Sequence, residues 1–406
     1  MQARQLPHSH DEPEINVNDI ALVELDPPVF RRRLMNWYRT HARELPWRGI
    51  NDPYQTWVSE VMLQQTRVAA VIEHYHDFLR RFPTILSLAL AKEADVLAAW
   101  SGLGYYRRAR MLHKAAKFIT EERNGVLPNT AAELRTLPGI GEYTCAAIAS
   151  IAFGESIPVL DGNVERVLLR ILGRPKEGTL VSRTFLQRQA AELVPRRRLD
   201  RHINAAGDHN QAMMELGATI CLPRAPLCLN CPVFSMCKTR GEHVTLLRAV
   251  QRSRPVAHLL MLRKRGTVTE VLLEQRGEDV SLMAGMYELP PLPMDAVEGR
   301  EPMLRLRHSI TNTNYYVQVF APRDREDRAP RRAVPASKDD LHWVRTRRLS
   351  SLPLTGLARK ILQRLGVMEV QALRLPEPDP PVGKQSKIKQ APAKLKAPSR
   401  PTGARR

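Results

Sequence analysis

Apolar residues return at helical spacing through residues 27–240. The segment 53–67 is the plainest case. Tyr54, Trp57, Val58 and Val61 form one apolar stripe, and Thr56, Glu60, Gln64 and Arg67 form a polar stripe beside it. Taken alone, such a polar stripe predicts a side turned to solvent. Asp52 before Pro53 marks the helix start: the carboxylate accepts from free first-turn N–H groups, and Pro has no N–H to leave unpaired. Val164, Val167, Leu168, Ile171 and Leu172 fit a second helix face, for which Asp161 is a natural cap. A helical stretch at 131–136 and the run EYTCAAIASIAF bracket a turn containing Pro138, Gly139 and Gly141. From residue 256 the period changes. HLLMLRK and EVLLEQR flank Gly266 and predict a β-hairpin, YYVQVF (315–320) predicts a third strand, and LTGLARKILQRLG (354–366) predicts a closing amphipathic helix.

These patterns divide the chain. Residues 1–26 are polar and acidic and are expected to be disordered; 27–240 form a mostly α region; 241–255 form a basic linker. Residues 256–366 form a smaller α+β domain, and 367–406 a basic tail expected to be disordered, with nine Lys/Arg against two acids from 371 onward. No internal repeat is present.

Composition narrows the class. The 406 residues carry 62 Lys+Arg against 42 Asp+Glu, a net charge of +20, which favours a polyanionic partner, most simply nucleic acid. Hydrophobic residues make up 43% of the chain, enough for a sizeable core. No run of eighteen apolar residues predicts a transmembrane helix, and the N-terminus has no apolar signal core. A cytoplasmic place is expected, on the nucleoid if the source is bacterial.

Four of the five cysteines lie close together: Cys221, Cys228, Cys231 and Cys237, separated by six, two and five residues. A compact quartet of thiols binds soft metals or iron–sulfur clusters. Zinc sites favour two close pairs separated by a longer loop, whereas here one loop supplies all four sulfurs and only one pair is close. Zinc and a pair of disulfides remain open on spacing alone. Cys145 stands apart as a helix-packing thiol.

The 6-2-5 cysteine spacing resembles the [4Fe–4S] loop of the endonuclease III and MutY family of DNA repair glycosylases. Leu137-Pro138-Gly139-Ile140-Gly141 resembles the helix-hairpin-helix of that superfamily, which implies that Gly139 and Gly141 approach the DNA backbone. Asp161, about twenty residues further on, matches the carboxylate that stabilises positive charge developing on the deoxyribose. SEVMLQQT (59–66) closely resembles the MutY adenine glycosylases. That likeness implies that Glu60 protonates adenine N7, that Gln65 wedges into the base stack, and that Tyr105 in Gly102-Leu103-Gly104-Tyr105 inserts beside the lesion. It also implies that Arg43, Trp47 and Arg48 line the adenine pocket and that Gln211 reads the adenine edge, with Asn163 among the substrate contacts. The lyase relatives keep a Lys where this chain has Tyr143, so the resemblance implies a monofunctional enzyme with Tyr143 beside the reacting bond.

The same resemblance extends to 256–366, similar to the Nudix-like C-terminal domain of MutY, which senses 8-oxoguanine opposite the adenine. The Phe-Ser-His run of that domain is replaced here by Ile310-Thr311-Asn312, leaving Ser309 and Thr311 as lesion contacts. The implied partner is duplex DNA holding adenine opposite 8-oxoguanine or guanine, met by a monomer. The rivals are a pyrimidine glycosylase/lyase, opposed by Tyr143 and Glu60, and a cluster-bearing DNA-binding protein without activity, opposed by the pairing of Glu60 with Asp161.

Overall fold

The computed structural model describes residues 25–50, 52–174, 183–196, 204–243, 251–277, 279–280, 282–310, 312–322 and 340–369. Among the described residues, eleven helices come first: α1 (Pro27–His41), α2 (Pro53–Leu63), α3 (Val68–Arg81), α4 (Ile85–Leu90), α5 (Glu93–Trp100), α6 (Arg107–Glu122), α7 (Ala131–Leu134), α8 (Glu142–Phe153), α9 (Gly162–Ile171), α10 (Arg183–Leu193) and α11 (Ala205–Thr219). The starts of α2 and α9 follow the sequence signals. Asp52 accepts from the N–H groups of Tyr54 (2.8 Å) and Gln55 (3.3 Å), and Asp161 from those of Asn163 (2.9 Å) and Val164 (2.7 Å). Each carboxylate satisfies two of the amides that have no partner inside the helix.

Two apolar cores hold these helices. One gathers Trp57, Val58, Phe78, Trp100, Leu112 and Ile148 from α2, α3, α5, α6 and α8. The other gathers Phe30, Leu34, Val167, Leu168, Leu186 and Leu216 from α1, α9, α10 and α11. Helix α8 packs against both α2 and α11, and so stands between the two groups. The polar stripe of α2 is not a solvent-facing side: Thr56 and Glu60 are buried.

The turn between α7 and α8 is the predicted hairpin. Gly139 has a left-handed φ of +73°, and a Cβ there would lie 2.4 Å from Met111 Cβ on α6. Only glycine meets both demands at low cost. Gly141 is the N-cap of α8.

The described residues of the C-terminal lobe form eight strands: β1 (Arg252–Leu259), β2 (Leu262–Arg265), β3 (Val268–Gln275), β4 (Tyr287–Glu288), β5 (Pro291–Leu292), β6 (Leu304–Ile310), β7 (Thr313–Phe320) and β8 (Leu341–Arg345). They form one sheet in the order β5-β1-β7-β6 and another in the order β2-β3-β4, with β8 also on β3. The β1–β7 pair is parallel, from Arg252 opposite Thr313 to Leu259 opposite Phe320. Helix α12 (Gly356–Arg364) closes the lobe, and its Leu357, Ile361 and Leu362 join Val271, Leu273, Val317 and Val319 in the core.

Several boundaries differ from the sequence reading. HLLMLRK is not one hairpin arm: it ends β1 in one sheet and begins β2 in the other, and only the β2–β3 part turns at Gly266. Residues 252–255, expected in the linker, belong to β1. Leu25 and Asp26 are ordered parts of the first helix's surroundings: Leu25 packs on the second core and Asp26 caps α1. Val367 and Met368, expected in the basic tail, pack into the C-terminal lobe's core. Residues 1–24 and 370–406 lie outside the described residues.

Glycine's role at the hairpin can be measured. Gly139→Ala is expected to destabilise the protein by roughly 1–3 kcal/mol through backbone strain and overpacking. An unchanged urea midpoint would contradict the left-handed turn and its contact with Met111.

Candidate active site

Glu60 sits on the buried side of α2, and its carboxylate accepts a short hydrogen bond from the Tyr143 hydroxyl on α8. The same hydroxyl lies 3.7 Å from Met214 Sδ on α11. Asp161, at the start of α9, is close enough to act electrostatically on both Glu60 and Tyr143. Three separate elements therefore bring Glu60, Tyr143 and Asp161 together. Burial raises the Glu60 carboxyl to about 7; Asp161 adds to the rise, while Tyr143 and Arg48 oppose it. Desolvation wins because the nearest partner is a neutral phenol, not a cation. Burial likewise holds the Tyr143 hydroxyl well above its ordinary value, so it stays a donor.

A second buried glutamate forms the other side of this region. Glu215 on α11 accepts from Arg43 Nε (2.7 Å), Arg43 Nη2 (2.9 Å), the Arg43 backbone N–H (3.1 Å) and Arg48 Nη2 (2.7 Å). Burial pushes its carboxyl up, but the two guanidiniums outweigh burial and bring it down to about 2. Arg48 Nη1 also donates to the Arg43 carbonyl (2.7 Å), and its guanidinium lies 5.4 Å from the centre of the Tyr38 ring. Tyr38 in turn donates to Gln211 Oε1 (3.2 Å). Arg43, Arg48 and Gln211 thus share one network. Glu215 and Tyr38, which organise it, were missed by sequence reasoning. The available signal was Glu215 itself, the one acid in the otherwise apolar run 212–217 of α11.

Other expected site residues fall elsewhere. Trp47 is buried in the helical core with its ring against Tyr75 at 5.4 Å, so its main contact is packing. Asn163 Nδ2 donates to Asp161 Oδ2 (2.9 Å), and Asn163 Oδ1 accepts from Arg166 (2.8 Å). Asn163 therefore braces the catalytic candidate Asp161. Gln65 and Tyr105 both have left-handed backbones, with φ of +55° and +47°. Such backbones cost about 1–2 kcal/mol per non-glycine residue. Both residues line a cleft of about 1150 Å³ together with Gly139 and, from the C-terminal lobe, His308 and Ser309. Glu60, Tyr143 and Asp161 are not among the residues that line that cleft. Ser309 is exposed on β6 and donates to Asn314 Oδ1 (2.7 Å). Thr311 lies outside the described residues.

Cys221, Cys228, Cys231 and Cys237 are free thiols that act on one another electrostatically. Burial and the neighbouring sulfurs push Cys231 up to about 12 and raise Cys228 and Cys237 as well. Arg170 Nη1 donates to Cys221 Sγ (3.3 Å), and the Arg240 backbone N–H to Cys237 Sγ (3.5 Å). Among the described residues, no three Cys, His, Asp or Glu side chains converge as a single-ion site. The four sulfurs lie close enough to act on one another electrostatically, and two of them accept from N–H donors, as sulfurs that hold one shared group would. Cys145 is buried on α8 and donates to the Glu142 carbonyl (3.2 Å).

The sequence model of the HhH-GPD superfamily base excision DNA repair proteins matches residues 58–191, which take in the latter part of α2 with Glu60, the hairpin and Asp161. This part of the chain is similar to that superfamily. Among its relatives, the adenine DNA glycosylase of Homo sapiens is 47% identical over 223 residues, covering 52% of this chain and 39% of that protein. The adenine DNA glycosylase of Mycobacterium tuberculosis is 43% identical over 208 residues, covering 49% of this chain and 64% of that one. The chain thus spans less than two thirds of these relatives' lengths. A solved thermostable thymine-DNA glycosylase is 27% identical, with a TM-score of 0.47 over 53% of this chain and 96% of its own.

The burial of Glu60 has a consequence for stability that needs no substrate. The folded protein holds this proton up to about pH 7, whereas the unfolded chain releases it near 4.5. The folded state therefore binds more protons in that window, and stability falls as pH rises through it. Wild type should lose roughly 3 kcal/mol at most relative to Glu60→Gln between those pH values. Parallel stability–pH curves for the two proteins would show that the carboxyl is not buried in this way.

Proposed function

We propose that the protein is a monofunctional adenine DNA glycosylase acting on adenine opposite 8-oxoguanine or guanine in duplex DNA. The observation that carries this reading is the buried Glu60, titrating near neutrality against Tyr143 and Asp161. The relatives named adenine DNA glycosylase support it.

In this reading the adenine is flipped into the region between Glu60 and the Glu215–Arg43–Arg48 network. Glu60 gives its proton to adenine N7, and the bond between the base and C1′ breaks with its electron pair leaving on the base. Asp161, held by two backbone N–H groups and Asn163, places negative charge by the oxocarbenium-like sugar. Water then adds to C1′ and returns a proton to Glu60. Tyr143 donates to Glu60 and keeps the carboxyl oriented. Gln211 reads the base edge, while Arg43 and Arg48 shape the pocket. Ser309, with Thr311, reads the base opposite adenine, and Gly139 and Gly141 bring backbone N–H groups to phosphate.

Cys221, Cys228, Cys231 and Cys237 would hold a [4Fe–4S] cluster, whose chemistry when bound is to staple the loop that follows α11. The raised thiols must lose their protons to bind it, so loading weakens as pH falls.

The direct test incubates the protein with duplexes carrying adenine opposite 8-oxoguanine, guanine or thymine and scores strand breaks before and after alkali. Breaks should appear only after alkali, on the 8-oxoguanine or guanine duplexes, at rates falling as pH rises above about 7. Glu60→Gln should lose on the order of 10²–10⁴-fold or more while still binding DNA. Breaks before alkali, or efficient borohydride trapping, would end the monofunctional reading. Anaerobically purified protein should be brown and carry iron; a colourless protein with one zinc per chain would refute the cluster.

A further inference from the structure

Arg108, in the first turn of α6, takes no part in the chemistry above. Its Nη1 donates to the carbonyls of Val61 (2.8 Å), Met62 (2.8 Å) and Gln64 (2.5 Å), which end helix α2 and have no partners within it. Its Nη2 donates to Thr66 Oγ1 (2.9 Å) and to the carbonyls of Leu103 (3.3 Å) and Gly104 (3.2 Å). One guanidinium therefore joins two chain segments whose nearest acceptors, Thr66 and Leu103, are 37 residues apart. Gln65 lies between two of its acceptors. Tyr105 follows two others, and its ring centre is 5.5 Å from the guanidinium. Both residues line the cleft with left-handed backbones, as does Met283 of the C-terminal lobe, which Arg108 does not hold. Nothing in their own side-chain chemistry favours that backbone, so it must be imposed from outside.

We infer that Arg108 is a positioning residue that presets Gln65 and Tyr105 together for insertion into the DNA base stack. The identity of the inserted residues rests on the adenine glycosylase reading; the clamp itself rests on the hydrogen bonds. A wedge that must open a base step does so more readily if its backbone is already fixed, because ordering is not then charged against unstacking. Arg suits the task and Lys does not. A planar fork serves two segments at once, whereas an ammonium is a single point donor on a flexible stem.

The test is a double-mutant cycle between Arg108→Gln and the pair Gln65→Ala/Tyr105→Ala. Two quantities are read: single-turnover excision of adenine opposite 8-oxoguanine, and affinity for a duplex with a tetrahydrofuran abasic analogue opposite 8-oxoguanine. Arg108→Gln alone should lower both, excision on the order of 10²-fold. Added to the Gln65→Ala/Tyr105→Ala background it should lower them by no more than about twofold, the scatter expected when nothing remains to position. Wild-type behaviour of Arg108→Gln would overturn the inference. So would full multiplicative loss in the background, since Arg108 would then act through the fold at large. Should Arg108→Gln lack a cooperative thermal transition, Arg108→Lys carries the same cycle. A wild type that excises no adenine would remove the enzyme reading, and the affinity cycle would still decide the clamp.

Discussion

Taking carboxylates out of water is the constraint on which this site turns. Glu60 and Glu215 are both almost without solvent, and both lie where helices pack against α8 or its neighbours. Burial penalises the charge on each. What differs is the partner. Glu215 meets two guanidiniums and stays ionised; Glu60 meets a phenol and keeps its proton to near neutrality. One packing arrangement thus yields a fixed anion and a proton donor, and the assignment of roles follows from which side chains reach which carboxyl. Exchanging the partners would exchange the roles.

The supports around the cleft are also hydrogen bonds to backbone carbonyls, made by long side chains from neighbouring elements. On the C-terminal side, the Leu354 carbonyl accepts from Ser101 Oγ (2.8 Å) and the Tyr106 hydroxyl (3.1 Å), and Arg359 Nε donates to Ser101 Oγ (2.9 Å). Arg110 Nη2 donates to the Ala284 carbonyl (2.6 Å), and Met286 is fully buried among the helical core residues. The loop carrying Tyr105 is therefore held from the helical side and from the C-terminal lobe.

Much of this was legible in the sequence, and the illegible parts share a cause. The caps Asp52 and Asp161 act within three residues, so local chemistry is sufficient to foresee them. The glycine hairpin was legible for the same reason. The parallel β1–β7 pairing joins residues some sixty positions apart, and no local pattern encodes it. HLLMLRK misled because one unbroken apolar run serves two sheets. The polar stripe of α2 also looked solvent-facing on spacing alone, because periodicity tells which residues share a face but not what covers it. Glu215 stayed hidden because its partners, Arg43 and Arg48, lie about 170 residues earlier.

Asp161 carries one further implication. Its oxygens already hold two backbone amides and an asparagine side chain at the start of α9. The residue is thus fixed by a folding requirement before any substrate arrives, and its placement needs no separate device. An amide at that position would still cap the helix while surrendering the charge, leaving a well-folded chain without the carboxylate beside Glu60 and Tyr143. In a lineage, such a change would escape every quality-control process that detects misfolding, because the fold would lose a charge and keep its cap.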